Sequence, residues 1–305
     1  MPARIRRVDA ASLLHRPDGR VLSWGEYGAP GGVPCFFFHG QPGSRIQARL
    51  LDVPATRHGV RVIAPDRPGY GFSSPAPRRR LVDWPEDVAA VADALGVQRF
   101  AVAGLSAGGP HALACAWAMP ERVTTTVLLS SPAPPHLAPA RPFDEPLERL
   151  ASAVLQRSRA LESVSSRVLL WRATSQPFDA WFERTMRGVV TRMPEVDREV
   201  VRREEVWRVL VDDAHENLRQ GLSGSIGDER VIEHEWGFDP ADVRGHVEVW
   251  HGDADTQVTA AEGRALAERL PDATLHLHPA GGHYVTLDHV DEILRTVRAA
   301  FTDHA

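Results

Sequence analysis

The sequence predicts an α/β protein built on a mostly parallel sheet, and two observations predict it. Short β-rich runs recur along the 305 residues, and from the third run onward helical patterns separate them. Strands that alternate with helices are typical of parallel sheets with crossover helices. The composition, with 43% hydrophobic and 25% charged residues, is that of an ordinary folded protein and excludes disordered and fibrous architectures.

Eight runs are candidates for strands. The first two, residues 5–8 and 21–27, are connected through a turn signature, Arg-Pro-Asp-Gly, at positions 16–19. We therefore expect the chain to open with a β-hairpin. The other six runs follow in chain order at residues 35–38, 61–64, 100–103, 124–129, 247–250 and 274–277.

Two helices follow from apolar residues that recur every three or four positions. The first is marked by Trp84, Val88, Val91, Ala92 and Leu95. A left-handed turn at Gly96 can end it. The second is marked by Val290, Ile293, Leu294, Val297 and Phe301. We expect the apolar side of each helix to pack on the sheet.

The alternation of strands and helices breaks after Pro132 and resumes near Asp239. Prolines lead out of the strand before this stretch, and the rest of it is polar and helical in pattern, which predicts a helical insertion. Its aromatic side chains form a small core of their own or line a pocket that faces the sheet, and both interpretations are open. These residues are Phe143, Trp171, Phe178, Trp181, Phe182, Trp207, Trp236 and Phe238.

Charge and composition exclude several partners. Arginine supplies all of the 35 basic residues against 40 acidic ones, and without a concentrated basic stripe we expect no nucleic-acid partner. The short run Arg78–Arg80 is interpreted as a solvated loop. No stretch approaches 18 consecutive apolar residues, which predicts a cytoplasmic protein with no membrane partner. Cys35 and Cys115 lie in apolar runs typical of buried free thiols, and no metal-ligand spacing occurs.

One motif carries a nucleophile. Residues 104–108 read Gly-Leu-Ser-Ala-Gly, between the predicted strand 100–103 and a helical run at 112–118. A strand-to-helix reversal this tight strains the backbone of the central residue and presents its hydroxyl at the start of the helix. Ser106 is therefore a candidate nucleophile.

A serine hydroxyl needs a base, and the base needs a carboxylate to orient it. The loop after the strand at 247–250 contains two acids, Asp253 and Asp255. Farther along, His283 follows two glycines at another strand exit. The chain order is thus serine, acid, histidine, and the residues alone leave the choice of acid open.

Five motifs together resemble those of the serine hydrolases with the α/β-hydrolase fold, over nearly the whole chain. The Phe-His-Gly-Gln-Pro-Gly-Ser stretch at 38–44 is similar to the oxyanion loop, and Asp-Arg-Pro-Gly-Tyr-Gly-Phe-Ser at 66–73 is similar to the loop that follows it. Residues 104–108 resemble the nucleophile elbow, 251–255 the acid turn and 281–283 the histidine loop.

The resemblance implies a fold and a domain organisation. We expect a mostly parallel eight-stranded sheet with helices on both faces and a helical cap inserted after the sixth strand. The core domain would comprise residues 1–132 and 239–305, and the cap residues 133–238.

The resemblance also implies the site. Ser106 would attack a carbonyl carbon and His283 would transfer its proton. The acid would be Asp255, because the family places it three residues after the glycine. Backbone N–H groups of Gln41 and Ala107 would hold the oxyanion. We expect no cofactor and no metal.

Other histidines and other branches of the family are less consistent with these residues. His39, His111 and His251 are interpreted as structural. Fold members that use an aspartate nucleophile, such as epoxide hydrolases and haloalkane dehalogenases, are disfavoured by Ser106, and proline iminopeptidases usually have tryptophan where this chain has Ala107.

Two functions remain. The first is hydrolysis of an ester, thioester or lactone of a small to medium acyl compound. The second is another use of the fold: a cyclase, perhydrolase, carbon–carbon bond hydrolase or ligand-binding protein. A small-molecule acyl substrate is the expected partner, and the sequence makes no prediction of the oligomeric state.

Overall fold

The computed structural model describes residues 5–8, 11–138, 184, 188, 190–191 and 193–302. Nine strands are found in this part of the chain, and all belong to one sheet. They are β1 (Ile5–Val8), β2 (Ala11–His15), β3 (Val21–Gly28), β4 (Val33–Phe38), β5 (Val60–Pro65), β6 (Phe100–Leu105), β7 (Val123–Leu129), β8 (Val247–Gly252) and β9 (Ala273–His278). Their order across the sheet is β1-β2-β3-β5-β4-β6-β7-β8-β9.

The sheet is mostly parallel, as the sequence predicts. β1, β2 and β3 form an antiparallel meander whose last strand pairs antiparallel with β5, and the pairs from β4 to β9 are parallel. The eight predicted strands are all present, and β2 is an additional one. The turn at Arg16 and Gly19 therefore joins β2 to β3, which corrects the predicted pairing of β1 with β3. The first four residues of β2 are all buried, so the strand lacks the alternation that would mark it in the sequence.

Helices cover both faces of the sheet. They are α1 (Asp52–His58), α2 (Trp84–Ala94), α3 (Gly108–Ala118), α4 (Glu195–Val201), α5 (Glu204–Asn217), α6 (Ser223–Ile232), α7 (Ala260–Arg269) and α8 (Val290–Ala299). Short 3₁₀ helices lie at Arg45–Leu51, Leu81–Asp83, Pro240–Asp242 and Val285–Leu287. Helices α1 and α8 share one hydrophobic core with the sheet, and α2, α3 and α7 share the other.

Both helices predicted from periodicity are confirmed as α2 and α8. Gly96 has a φ of 69° just after α2, as its predicted role requires. Phe301 lies beyond the end of α8 and packs on the same core as that helix. In the described part of the chain, no helix combines the length and the apolar character that crossing a bilayer requires.

Helices α4, α5 and α6 lie in the chain between β7 and β8, where the sequence predicts the insertion. Trp236 is buried, and its ring lies 5.9 Å from that of Phe238, which stacks on Trp117 of α3 at 5.3 Å. These two aromatic residues of the predicted insertion therefore extend the main core. Trp207 lies on α5. The other five aromatic residues, Phe143, Trp171, Phe178, Trp181 and Phe182, lie outside the described residues.

Both cysteines are buried free thiols, as the sequence predicts. Burial raises the pKa of the Cys35 thiol to about 12 and that of Cys115 well above its ordinary value. At neutral pH both therefore remain protonated and act as small apolar side chains.

Candidate active site

Ser106 occupies the sharp turn between β6 and α3. Its φ is 50°, a left-handed conformation that is uncommon for a residue other than glycine and costs about 1–3 kcal/mol. Two backbone hydrogen bonds maintain it: the Ser106 N–H donates to Leu129 O at 2.7 Å, and Ser106 O accepts from the Gly109 N–H at 2.9 Å. The strained turn places the serine at the carboxyl edge of the sheet and at the N-terminus of α3.

Close backbone contacts explain the glycines that flank Ser106. A Cβ atom on Gly104 would overlap the backbone of Gly108, and one on Gly108 would overlap the carbonyl oxygen of Phe38. Both overlaps involve main-chain atoms, which cannot move aside without distorting the sheet. The Gly-x-Ser-x-Gly spacing is therefore a steric requirement of this turn.

His283 and Asp255 are in direct contact. His283 Nδ1 lies 2.7 Å from Asp255 Oδ2, and both residues are buried. The other carboxylate oxygen accepts the N–H groups of Gln257 at 2.8 Å and Val258 at 3.0 Å. Because a carboxylate only accepts, Nδ1 of His283 carries the proton and Nε2 has the free lone pair of a general base. Asp253, the other candidate acid, is exposed.

The structure brings Asp255 and His283 into hydrogen-bond contact, and no hydrogen bond among the described residues joins Ser106 to either of them. Among the hydrogen bonds of the described residues, none involves Ser106 Oγ. Catalytic contacts of this kind are often long without substrate and shorten in the reacting complex.

Gln41 and Ala107 are the residues whose backbone N–H groups the sequence analysis predicts to form an oxyanion hole. Within the described residues neither N–H donates a hydrogen bond, so both are available to a ligand. The loop of Gln41 lies against Ser106, since a Cβ on Gly40 would be 3.6 Å from Ser106 Cβ. Ala107 directly precedes α3, whose N-terminus favours negative charge.

The three other histidines near the motifs are held by backbone carbonyls. His39 Nδ1 bonds to Gly40 O at 2.8 Å, His111 Nδ1 to Ala107 O at 2.9 Å, and His251 Nε2 to Val258 O at 3.0 Å. Burial lowers the pKa of all three, that of His111 to about 3. Their neutral, anchored rings fit the structural interpretation.

Two residues that the sequence analysis does not identify position the loop of His283. Ser130 Oγ, just after β7, donates to His283 O at 2.8 Å. Asp197 on α4 accepts the N–H of Tyr284 at 3.0 Å. Ser130 has a φ of 49°, but the segment that contains it is the proline-rich exit from β7, which has no catalytic motif. Asp197 lies in a polar segment that also lacks a motif. Neither position carries a sequence signal of its contact.

Asp228 on α6 ties this helix to the loops around the site. Its carboxylate accepts from Arg67 Nε at 2.9 Å, from Arg79 at 2.6 Å and from the Tyr70 hydroxyl at 3.0 Å. Burial alone would raise the pKa of Asp228, but the two guanidinium groups lower it well below its ordinary value. Arg67 also donates to the carbonyl oxygens of His39 and Gly40, next to the predicted oxyanion hole.

Asp213 on α5 contacts the loop that contains Gly40 and Ser44. It accepts from Ser44 Oγ at 2.6 Å and from Gln47 Nε2 at 3.0 Å, and Gln47 Oε1 in turn accepts the Gly40 N–H at 2.8 Å. Burial raises the pKa of Asp213 to about 7, although the bonds from Ser44 and Gln47 oppose the rise. The carboxylate is therefore partly protonated at neutral pH.

The raised pKa of Asp213 predicts that the carboxylate lowers the free energy of unfolding by an amount that depends on pH. An acid whose pKa is higher in the folded state destabilises the fold when it is ionised, so the cost is absent below about pH 4 and complete above about pH 7. At about 1.4 kcal/mol per pH unit, its upper limit is about 4 kcal/mol. We therefore expect Asp213→Asn to stabilise the protein at pH 8 relative to pH 5, as measured by urea unfolding at both values.

Asp212→Asn is the matched control, because Asp212 is the neighbouring residue and its side chain is 51% exposed. Its effect on the free energy of unfolding should be the same at both pH values. An Asp213→Asn effect independent of pH would contradict the prediction.

Among the described residues, no group of three or more His, Cys, Asp or Glu side chains is arranged to hold a metal ion. The arrangement around Ser106 supplies a hydroxyl, a base with its carboxylate, and two N–H donors. Chemically, this set can transfer an acyl group through serine.

Comparisons with known proteins identify the family of the chain. Residues 34–290 match the family described as alpha/beta hydrolase fold. Over 114 residues the chain is 39% identical to the dihydrolipoyllysine-residue acetyltransferase component of the acetoin cleaving system of Pseudomonas putida, but this match spans 37% of the chain and 30% of that protein.

Two other similarities extend over most of the chain. With 2-hydroxymuconate semialdehyde hydrolase of Pseudomonas putida the identity is 26%, covering 87% of the chain and 86% of the relative. A solved hydrolase of Pseudomonas aeruginosa PA01 superimposes with a TM-score of 0.68 at 20% identity, covering 97% of this chain and 99% of that one. Because the family match extends over most of its length, this chain belongs to the α/β-hydrolase fold family.

Proposed function

We propose that the protein is a serine hydrolase that cleaves an ester, thioester or lactone of a small to medium acyl substrate. The observation that carries the proposal is the 2.7 Å hydrogen bond between His283 and Asp255 at the same edge of the sheet as the strained Ser106. The backbone N–H groups of Gln41 and Ala107, which have no acceptor among the described residues, support it.

The proposed mechanism proceeds through an acyl-enzyme. As Ser106 Oγ attacks the carbonyl carbon, His283 Nε2 takes its proton, and Asp255 stabilises the resulting imidazolium. The N–H groups of Gln41 and Ala107 hold the oxyanion of the tetrahedral intermediate. When the intermediate collapses, His283 returns the proton to the leaving oxygen or sulfur. Water then attacks the acyl-enzyme while His283 Nε2 takes its proton, and collapse of the second intermediate returns this proton to Ser106 Oγ and releases the acid.

In this proposal residues 133–238 form a cap on a core of residues 1–132 and 239–305. Its three described helices each send a carboxylate to a loop of the core: Asp197 to Tyr284, Asp213 to Ser44, and Asp228 to Arg67. The acyl group would bind between these helices and the edge of the sheet.

A second candidate is hydrolysis of a substrate like that of the semialdehyde hydrolase from Pseudomonas putida, because that relative aligns over 87% of this chain. The same serine, histidine and N–H groups would serve it. A panel of p-nitrophenyl esters of increasing acyl length, assayed beside 2-hydroxymuconate semialdehyde, separates the two candidates by their kcat/KM values.

Labelling with a fluorophosphonate tests the proposal directly. The folded protein should incorporate one phosphonyl group, and peptide mass spectrometry should locate it on Ser106, because this reagent needs a serine that a base activates. Urea-unfolded protein and the Ser106→Ala variant are the controls, and both should remain unlabelled. A folded protein that takes up no label on Ser106 would refute the serine mechanism.

A further inference from the structure

The side chain of Gln47 spans the loop that contains Gln41. Gln47 belongs to the 3₁₀ helix Arg45–Leu51 and is 8% exposed. Its Oε1 accepts the Gly40 N–H at 2.8 Å, and its Nε2 donates to Pro42 O at 3.2 Å. One amide group therefore bonds to the residue on each side of Gln41, whose N–H is proposed to bind the oxyanion.

The orientation of the Gln47 amide is fixed by these partners. A backbone N–H group only donates and a carbonyl oxygen only accepts, so the amide oxygen must face Gly40 and the amide nitrogen must face Pro42. The same orientation presents Nε2 to Asp213 Oδ2 at 3.0 Å. Turning the amide over would break all three hydrogen bonds.

Asp213 of α5 holds both the amide and the start of the helix that contains it. Its Oδ1 accepts from Ser44 Oγ at 2.6 Å, and its Oδ2 is the oxygen bonded to Gln47. Ser44 in turn caps the helix, because its Oγ accepts the Ile46 N–H at 3.2 Å. Since Asp213 is 3% exposed, water competes little for these contacts.

The loop packs closely around the Gln47 amide. A Cβ on Gly43 would overlap Gln47 Nε2, and one on Gly40 would lie 3.6 Å from both Gln47 Oε1 and Ser106 Cβ. Gly40 thus lies between the amide and Ser106. A displacement of the amide would therefore move the backbone beside Ser106.

We propose that Gln47 is a positioning residue for the oxyanion hole and that Asp213 orients its amide. Gln47 fixes the backbone on both sides of Gln41, so that the N–H of Gln41 points to the place where the oxyanion forms. A donor held in place beforehand stabilises the transition state because it does not reorganise as charge develops. This role rests on the proposed serine mechanism, which supplies the oxyanion at Ser106.

Gln47→Met tests this role, because methionine has a similar length and lacks the amide. On a p-nitrophenyl ester, kcat should fall about tenfold or more, since a small displacement of a catalytic group has effects of this size. KM should change less than about twofold, because the oxyanion contact is made in the transition state. The loss in kcat should stay below that of Ser106→Ala, since the N–H of Gln41 remains.

A tetrahedral inhibitor gives a second readout. Butylboronic acid becomes a tetrahedral anion when Ser106 Oγ adds to its boron, and one of its oxygens then occupies the oxyanion hole. Its Ki should therefore rise in Gln47→Met by about the factor by which kcat/KM falls. A role of Gln47 in folding alone would leave the Ki of the folded protein unchanged.

Exchanging the two side-chain groups tests the part played by Asp213. Gln47→Glu replaces the Nε2 that lies 3.0 Å from Asp213 with a second carboxylate oxygen, so kcat at pH 8 should fall. Adding Asp213→Asn returns an amide donor to the pair from the other side. The double variant should exceed Gln47→Glu in kcat by about threefold or more, the coupling expected of side chains in direct contact.

Gln220→Met is the matched control. Gln220 also holds a loop with its amide, through Nε2 and the carbonyl oxygens of Tyr70, Gly71 and Ser73, but its recorded hydrogen bonds do not reach the neighbours of Gln41. This variant should lose stability in urea unfolding, yet its kcat and Ki should remain within about twofold of those of the unsubstituted protein. If Gln47→Met does not fold, Gln47→Asn replaces it, because the shorter amide cannot reach both sides of the loop.

Three results would overturn the role of Gln47: an unchanged kcat and Ki in its folded variants, an equal loss in Gln220→Met, or no recovery in the double variant. Fluorophosphonate labelling separates these failures from that of the serine mechanism. If the unsubstituted protein is labelled on Ser106 while the Gln47 variants keep full kcat, only the positioning role is refuted. If Ser106 takes up no label, the serine mechanism and the positioning role are both refuted.

Discussion

Ser106→Ala is expected to lower kcat for ester hydrolysis by about 10⁴-fold or more. The substitution removes the oxygen that would form the acyl-enzyme, while Ala107 and Gln41 keep the N–H groups that are proposed to bind the oxyanion. Serine hydrolases that lose a triad member retain only the small catalysis of the oxyanion hole and of binding. Steady-state kinetics on a p-nitrophenyl ester measure the change, and an unchanged KM would show that the binding site is intact.

Two further pairs of variants assign the roles around Ser106. Asp255→Asn should cost about 10⁴-fold in kcat, because an amide stabilises the wrong tautomer of His283, whereas Asp253→Asn at the exposed neighbour should have little effect. Gln41→Ala should lower kcat far less than Ser106→Ala, because the backbone N–H at position 41 remains. A rate that survives Ser106→Ala would remove this serine from the mechanism.

The parts of the fold that follow from local chemistry could be predicted from the sequence. The turn around Ser106 needs glycine at 104 and 108 because the backbones there nearly touch. Helix α8 packs one face on the sheet, so its apolar residues recur every three or four positions and can be recognised in the sequence. Such constraints can come from distant atoms, as Phe38 O does for Gly108, but they fix residues that lie close together in the chain and so leave a recognisable local pattern.

The contacts that shape the rest of the site join residues far apart in the chain. Arg67 and Asp228 are separated by 161 positions, and Ser130 and His283 by 153. On a polar helix such as α6, a carboxylate that will be buried has the same pattern as one that faces solvent. Asp228 therefore gives no local signal, although it bonds to three side chains.

Asp228→Ala is expected to destabilise the protein by about 3–5 kcal/mol. Arg67 is fully buried and would lose its only recorded carboxylate partner among the described residues, and an uncompensated buried charge costs about this much. Because domains are stable by only about 5–15 kcal/mol, this one substitution removes a large share of the total. Urea unfolding followed by circular dichroism measures the loss.

Glu204→Ala is the matched control, since Glu204 also lies on a helix between β7 and β8 and pairs with Arg208, with both side chains about three-quarters exposed. An exposed pair four residues apart stabilises a helix by only about 0.5 kcal/mol or less. If Asp228→Ala does not fold, Asp228→Asn tests the same point, because it keeps an acceptor for Arg67 and removes the charge. A loss below about 1 kcal/mol in both Asp228 variants would contradict the argument.

Asp228→Ala should also lower kcat at the proposed active site. Arg67 donates to the carbonyl oxygens of His39 and Gly40, which precede Gln41 and its oxyanion N–H. Without Asp228 the guanidinium is free to leave these carbonyls and the loop loses a support, so kcat should fall in the fraction that remains folded. Glu204→Ala, which touches neither carbonyl, should leave kcat unchanged. A folded Asp228 variant with full kcat would show that the oxyanion loop holds its position without Arg67.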